Sequence, residues 1–348
     1  MKKALIIIGA VAAVILLMVL KTLWDAGEFK TLEPRSQCEC ARVPGVPGPE
    51  DIVVDGITGV AYVSSYDRRA HFEGTPKQGA IFSFGPGAAP RPRDLTAGLP
   101  FQFRPHGMSL YRAPDGSVFL FVINHPEGGN AVEIFKIGEN SLRHLETVRD
   151  NLMISPNDIA AVGPRQFYFT NDHGSRSNLG RTMEDYLRLP RSNIVYFDGK
   201  RARIAARGLR MANGIWADAD GKLLYATTTT GKEFIVYRRS PGGDLAETAR
   251  LDLGSAGDNI DIDPSGRILV ACHPRLLTFV KHAKDPAKKS PSQVLEILRS
   301  EGGTYSFREY YLDRGEEISA ASVAAGYGDR LFIGNVFEDF FLDCRCPR

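Results

Sequence analysis

The feature that most narrows what this chain can fold into is a repeat. From about residue 50 onward a polar residue or pair stands just ahead of an apolar, strand-like run, and a turn and a second apolar run follow. The pattern appears as Glu50-Asp51-Ile52 leading to Val60-Ala61-Tyr62-Val63, and as His106-Gly107-Met108 leading to Val118. It recurs as Asn157-Asp158-Ile159 before Phe167-Tyr168-Phe169, Asn213-Gly214-Ile215 before Leu223, and Asp258-Asn259-Ile260 before Ile268. A weaker sixth copy places Ala320, Ser322 and Val323 before Leu331-Phe332-Ile333. Six units, roughly 45 to 60 residues apart and each with several short strands, predict a six-bladed β-propeller. Tight-turn dipeptides such as Asp115-Gly116, Asp220-Gly221 and Ser265-Gly266 precede several strands, as a chain of hairpins requires. Only Arg181 to Leu189 carries a short helical signal on a surface loop.

Ahead of the repeat, Lys2 and Lys3 precede an unbroken apolar run from Ala4 to Leu20, closed by Lys21. That run is at the short end for a bilayer span, and the residues after it make a poor cleavage site. The expectation is an uncleaved signal anchor with a cytoplasmic N-terminus, its eventual removal left open. The fold class is therefore all-β, a six-bladed propeller preceded by a transmembrane helix. Its expected divisions are an anchor over 1–22, a linker over 23–37 and a single propeller domain over 38–348.

The cysteines fit an exported chain. Cys38 and Cys40 lie just after the anchor and Cys344 and Cys346 at the far end, both pairs spaced C-x-C, a spacing unlike that of zinc fingers. The expectation is disulfide linkage between the two ends, with the pairing open, as an oxidising compartment permits. Such bridges close a loop of about 300 residues, for which chain entropy gives roughly 5 kcal/mol. Cys272, inside an apolar strand, reads as a packed thiol. The net charge of +2 offers no basic stripe for nucleic acid, and the one local excess, Lys281 to Lys289, reads as a solvated loop.

In a propeller the equivalent starts of the innermost strands converge on one tunnel. That convergence would gather Glu50, Asp51, Asn157, Asp158, Asn213, Asp258 and Asn259. Four carboxylates and three amides held together repel unless a hard cation sits among them, and oxygen-only donors suit Ca²⁺. His106 takes the same unit-start position in the second blade, and His125 ends the next strand; a pair of imidazoles can orient one another and move a proton near neutral pH. His173 and His273 also follow strand ends, His71 lies in a polar loop suited to a lid (Tyr66 to Lys77), and His144 and His282 read as surface residues.

At these residues the chain resembles the paraoxonase/arylesterase family. The resemblance is carried by Ser155-Pro156-Asn157-Asp158-Ile159-Ala160-Ala161-Val162-Gly163-Pro164 with Phe167-Tyr168-Phe169-Thr170-Asn171-Asp172-His173. It continues in Arg104-Pro105-His106-Gly107, Asn124-His125-Pro126, Ala212-Asn213-Gly214-Ile215, Asp258-Asn259-Ile260, Cys272-His273-Pro274 and Leu331-Phe332-Ile333-Gly334. It implies a propeller with two calcium ions in its tunnel. An upper, catalytic ion would be held by Glu50, Asn157, Asn213, Asp258 and Asn259, and a lower, structural one by Asp51, Asp158 and the backbone carbonyl of Met108. It implies that His106 and His125 act as a dyad, with Glu50 or Asp258 as the next candidate base. The implied activity is hydrolysis of a small lactone or aryl ester, with the membrane engaged through the anchor and the propeller on its extracytoplasmic side. Two alternatives stand beside it: a related propeller hydrolase acting on sugar lactones or phosphotriesters, and a non-catalytic, membrane-tethered chaperone or assembly factor. The chain departs from the family in its second C-x-C pair, in Ser65 to Gly79 and at Met211, the last two bearing on substrate choice.

Overall fold

The computed structural model describes residues 2–86, 91–218 and 220–347. Six four-stranded antiparallel sheets follow one another round a ring. Their inner strands are Pro49–Val54, Pro105–Arg112, Pro156–Ala161, Ala212–Ala217, Ala256–Ile262 and Ala321–Tyr327. Each inner strand touches the inner strands on either side, which closes the tunnel wall. We number the blades 1 to 6 in that order.

Inner strands such as Pro156–Ala161 are buried along almost their whole length, whereas outer strands such as Leu245–Asp252 keep exposed positions throughout. A strand packed between two blades has no solvent face, so it reads as a continuous apolar run; an edge strand keeps the two-residue period. Between neighbouring blades lie separate apolar clusters. Phe121, Val132 and Ile134 of blade 2 pack on Phe167, Phe169 and Val195 of blade 3, and Tyr168, Ile194 and Tyr196 pack on Leu224, Ile235 and Tyr237 of blade 4. Six such clusters, one per junction, hold the ring.

The ring closes on its own ends. The outer strand of blade 6 is Glu39–Pro44, antiparallel to Phe340–Arg345 with Cys40 opposite Cys344. Disulfides join Cys40 to Cys344 and Cys38 to Cys346, which settles the pairing that the sequence left open. Cys272 is a fully buried free thiol.

Each inner strand starts opposite the end of the second strand of its blade, as Pro49 faces Ser65 and Ala256 faces His273. The loops leaving those second strands therefore roof the same tunnel mouth. They carry three helices after the N-terminal helix α1 (Lys2–Asp25): α2 (Arg68–Phe72), α3 (Asn178–Leu187) and α4 (Leu276–Lys284). The expected solvated loop at Lys281 to Lys289 is thus in part helical, and His282 is buried rather than at the surface. α1 is long and apolar enough to cross a membrane, and none of it is buried against the propeller. The segment after it lies along the mouth face. Ala26 accepts a hydrogen bond from Leu276 N–H (2.9 Å), and the Glu28 carboxylate caps the start of α4 through Leu277 N, Thr278 N and Thr278 Oγ1.

Candidate functional site

In all six blades the ladder slips at the start of the inner strand, between Pro49 and Asp51, Pro105 and Met108, Pro156 and Ile159, Ala212 and Ile215, Gly257 and Ile260, and Ala321 and Val323. These bulges coincide with the polar residues of the repeat. A bulge removes residues from the ladder and re-aims their side chains; here it turns the polar groups into the tunnel. Gly107 and Gly214 sit in two of the bulges, where neighbouring inner strands come closest. A Cβ on Gly107 would lie 2.5 Å from Asp158 Cα and 2.6 Å from Asn157 O, and one on Gly214 would lie 2.5 Å from Asp258 O.

The tunnel mouth gathers Glu50, Asn157, Asn213, Asp258 and Asn259, all nearly excluded from solvent. Asn213 donates Nδ2 to Thr229 Oγ1 at 3.0 Å, and Asn259 donates Nδ2 to Glu50 Oε1 at 3.0 Å. With both amide nitrogens engaged, both amide oxygens point away from those donors. Among the described residues, Glu50 Oε2, Asn157 Oδ1, Asn213 Oδ1 and Asn259 Oδ1 are buried with no hydrogen-bond partner. Buried acceptors without donors cost about 1–3 kcal/mol each. Four at one spot is the arrangement an oxygen-ligated cation satisfies. No group of three or more His, Cys, Asp or Glu among the described residues is placed to hold a metal by themselves. Three of the four orphan oxygens are amides, so the donor set fits a hard cation such as Ca²⁺ and not a transition metal.

Deeper in the tunnel, Asp51 Oδ2 accepts from Met108 N at 2.6 Å, which places the Met108 backbone beside Asp51. Asp158 accepts from Ile159 N and Ile215 N, both at 2.7 Å. Burial, then repulsion from Asp158 and Glu50, pushes the Asp51 carboxyl well above its usual range. Burial likewise raises Asp158, aided by Glu50 and Asp258. Carboxyls that resist ionisation in the protein alone are relieved by a divalent charge between them.

Beside the mouth, His106 Nδ1 lies 3.0 Å from His125 Nε2, and His125 Nδ1 lies 2.9 Å from Asn130 Oδ1. Asn130 is itself oriented, its Nδ2 donating to Met153 O at 3.0 Å. Burial, then the charge of His106, brings His125 down to about 4. Neutral His125 therefore donates from Nδ1 to Asn130 and accepts at Nε2 from His106 Nδ1, a tautomer assigned from this network. The other ring nitrogen of His106, Nε2, faces Glu50 Oε2 3.6 Å away.

A cleft of about 280 Å³ opens here, lined by His106, His125, Asp172, Arg68, Tyr66 and Arg104 among others. Helix α2, within the stretch read as a polar lid, sets Arg68 3.7 Å from Glu50 Oε2, while His71 Nδ1 meets Tyr66 Oη at 2.7 Å. The repeat pattern does not find Arg68, Asn130 or Asp172, because each lies on a connecting loop. His273 Nε2 holds Asp258 Oδ2 at 2.8 Å, and His173 bridges Asp172 and Asp185 of α3 at 2.8 and 2.9 Å. His144, half-buried, bonds to buried Glu133 and lies apart from the mouth.

The arylesterase family model matches residues 91–344. Serum paraoxonase/arylesterase 2 of Homo sapiens is 38% identical over 72% of this chain and 72% of its own length. The Gallus gallus protein of the same name is 34% identical over 89% of both chains. Serum paraoxonase/lactonase 3 of Oryctolagus cuniculus is 31% identical over 90% of both. In fold alone the chain is similar to a luciferin-regenerating enzyme (TM-score 0.55, 10% identity, 89% of this chain and 95% of that one). It is likewise similar to regucalcin of Agrobacterium tumefaciens (TM-score 0.51, 13% identity, 88% and 95%).

Proposed function

The chain belongs to the paraoxonase/arylesterase family, and on that premise we propose that it hydrolyses lactones and aryl esters at the tunnel mouth with two calcium ions as cofactors. It is an ester-hydrolysing enzyme by kinship; the choice of lactone and aryl ester rests on the names its relatives carry. Glu50, Asn157, Asn213, Asp258 and Asn259 would hold the upper ion, and Asp51, Asp158 and the Met108 carbonyl the lower. When bound, the upper ion supplies a Lewis acid that polarises an ester carbonyl and offsets the charge developing on its oxygen.

The protein's own part is to prepare a base. His106 Nε2 accepts a proton from a water at the mouth, and Glu50, 3.6 Å away, favours the resulting imidazolium. His125 orients rather than stores the proton. Its depressed basicity makes it a poor acceptor, while its hydrogen bond fixes which nitrogen of His106 is free. Arg68, above Glu50, restricts that carboxylate from the lid side. No serine nucleophile is needed, and the chain has no G-x-S-x-G elbow. The observation that carries this reading is His106 Nε2 standing beside four donorless oxygens at the tunnel mouth.

We place the propeller on the extracytoplasmic side of a membrane, with α1 as its anchor and a small-molecule ester or lactone as its partner. Lys2 and Lys3 before the apolar run and two disulfides in the propeller support that side. The test of mechanism is steady-state kinetics of His106→Gln on a lactone and an aryl ester. The expected result is a fall in kcat of about 10²–10⁴-fold with KM little changed. A variant with wild-type kcat would remove His106 from the mechanism.

A further inference from the structure

Where α1 meets the propeller there is a second polar cavity, separate from the mouth residues. It measures about 430 Å³ and is lined by Trp24, Phe29, Lys30, Arg188, Lys232 and Asp252 among others. Three cations converge on it. Lys30 Nζ donates to Gly254 O at 2.7 Å, and Arg188 donates Nε to Thr230 O at 2.8 Å and pairs with Asp25 at 3.1 Å. Lys232 has no side-chain hydrogen bond or ion pair among the described residues. Burial, then the charges of Lys30 and Arg188, lowers its ammonium from the usual range. An adjoining cavity adds Lys21 and Arg210 round the same Asp25 and Arg188.

The three acids of these two cavities do not settle this excess; Glu233 is paired with Arg250. Asp25 is taken by Lys21 and Arg188, and Asp252 accepts from Gly254 N. Lys232 is a half-buried ammonium that shares this cavity with two other cations, and an anion there would give it a partner.

The position says which anion. The apolar run of α1 ends at Leu20, and Lys21 to Asp25 is one further turn, about 6 Å along the helix. In a bilayer the headgroup layer begins where the hydrocarbon stops and is about 5–8 Å deep. Trp24 is 73% exposed and Phe29 57% exposed, aromatic rings at the level where membrane proteins carry them. We propose that this cavity binds the phosphate of an anionic phospholipid headgroup, with Lys232 as the principal contact and Lys30 and Arg188 beside it. The site rests on α1 lying in a membrane but not on the ester-hydrolase reading. A bound headgroup would fix the tilt of the propeller relative to the anchor.

The test uses the full chain in a neutral detergent doped with phosphatidylglycerol or phosphatidylcholine, with retained lipid read by native mass spectrometry. The wild type is expected to retain phosphatidylglycerol in preference to phosphatidylcholine. Lys232→Gln should weaken retention about fivefold, Lys232→Arg should restore it, and the exposed control Lys200→Gln should change nothing. Thermal unfolding of each variant establishes that it is folded. Equal retention by wild type and Lys232→Gln, or equal retention of the two lipids, overturns the proposal. So does displacement of the lipid by inorganic phosphate alone, which would assign the cavity to the free anion.

Discussion

His125 works by staying neutral. Burial and the neighbouring His106 bring it down to about 4, against about 6.5 in an unfolded chain. Above pH 6.5 it is neutral in both states, and the fold keeps its full contribution. As pH falls from 6.5 towards 4 the unfolded chain takes up the proton first, so stability declines through that window. Near pH 4, Nε2 of His125 becomes a donor facing Nδ1 of His106, and the hydrogen bond that orients His106 is lost. Asn130→Asp would put a carboxylate 2.9 Å from His125 Nδ1 in place of the amide oxygen, stabilising the imidazolium. The acid limb of its pH–rate profile should move to higher pH. An unmoved limb would show that His125 does not set it.

At the scale of elements, His173 is one of the residues that tie α3 to the mouth. His173 spans Asp172, at the end of a second strand, and Asp185 on the helix. Burial opposes its charge, but the two carboxylates overcome that and raise it to about 10. Its folded value lies above the unfolded one, so this contribution is fully present below pH 6.5 and is lost as pH rises through 10. His173→Gln should cost about 1–2 kcal/mol at neutral pH, with the gap to wild type closing as pH approaches 10 in thermal melts. The sequence made the inner strands legible because their function-bearing residues sit in a bulge that recurs in register with the blade. Glu50, Asn157, Asn213 and Asp258 could be read without coordinates for that reason. Nothing periodic marks the loops over the mouth. Arg68 on α2 reaches Glu50 from a loop outside the repeated strands, and α4 was hidden because its basic residues mask Leu276, Leu277, Phe279 and Val280. His282 is covered by the Phe337 ring and by Arg69 of α2, neighbours that sequence spacing does not reveal. Cysteine pairing needed the strand register, which sets Cys40 opposite Cys344.

For the whole molecule, two parallel bridges close the ring at one place, with sequence separations of 308 and 304. Either bridge alone keeps the long loop closed, so replacing Cys38 and Cys346 together by serine should cost little. Losing both bridges opens the loop and should cost roughly 5 kcal/mol by the chain-entropy model, measured by denaturant unfolding. Additive, equal losses would mean that the bridges act locally instead. The central claim is that the donorless oxygens of the mouth hold a calcium ion on which ester hydrolysis depends. The most direct test is turnover of a panel of lactones and aryl esters by the full chain, with calcium and after chelation, alongside a count of bound calcium. The account predicts two ions per chain, turnover lost on chelation and regained with calcium, and no recovery in Asn157→Ala or Asp258→Ala. A folded protein that binds two calcium ions yet hydrolyses none of the panel, or one that turns over equally after complete chelation, would contradict it.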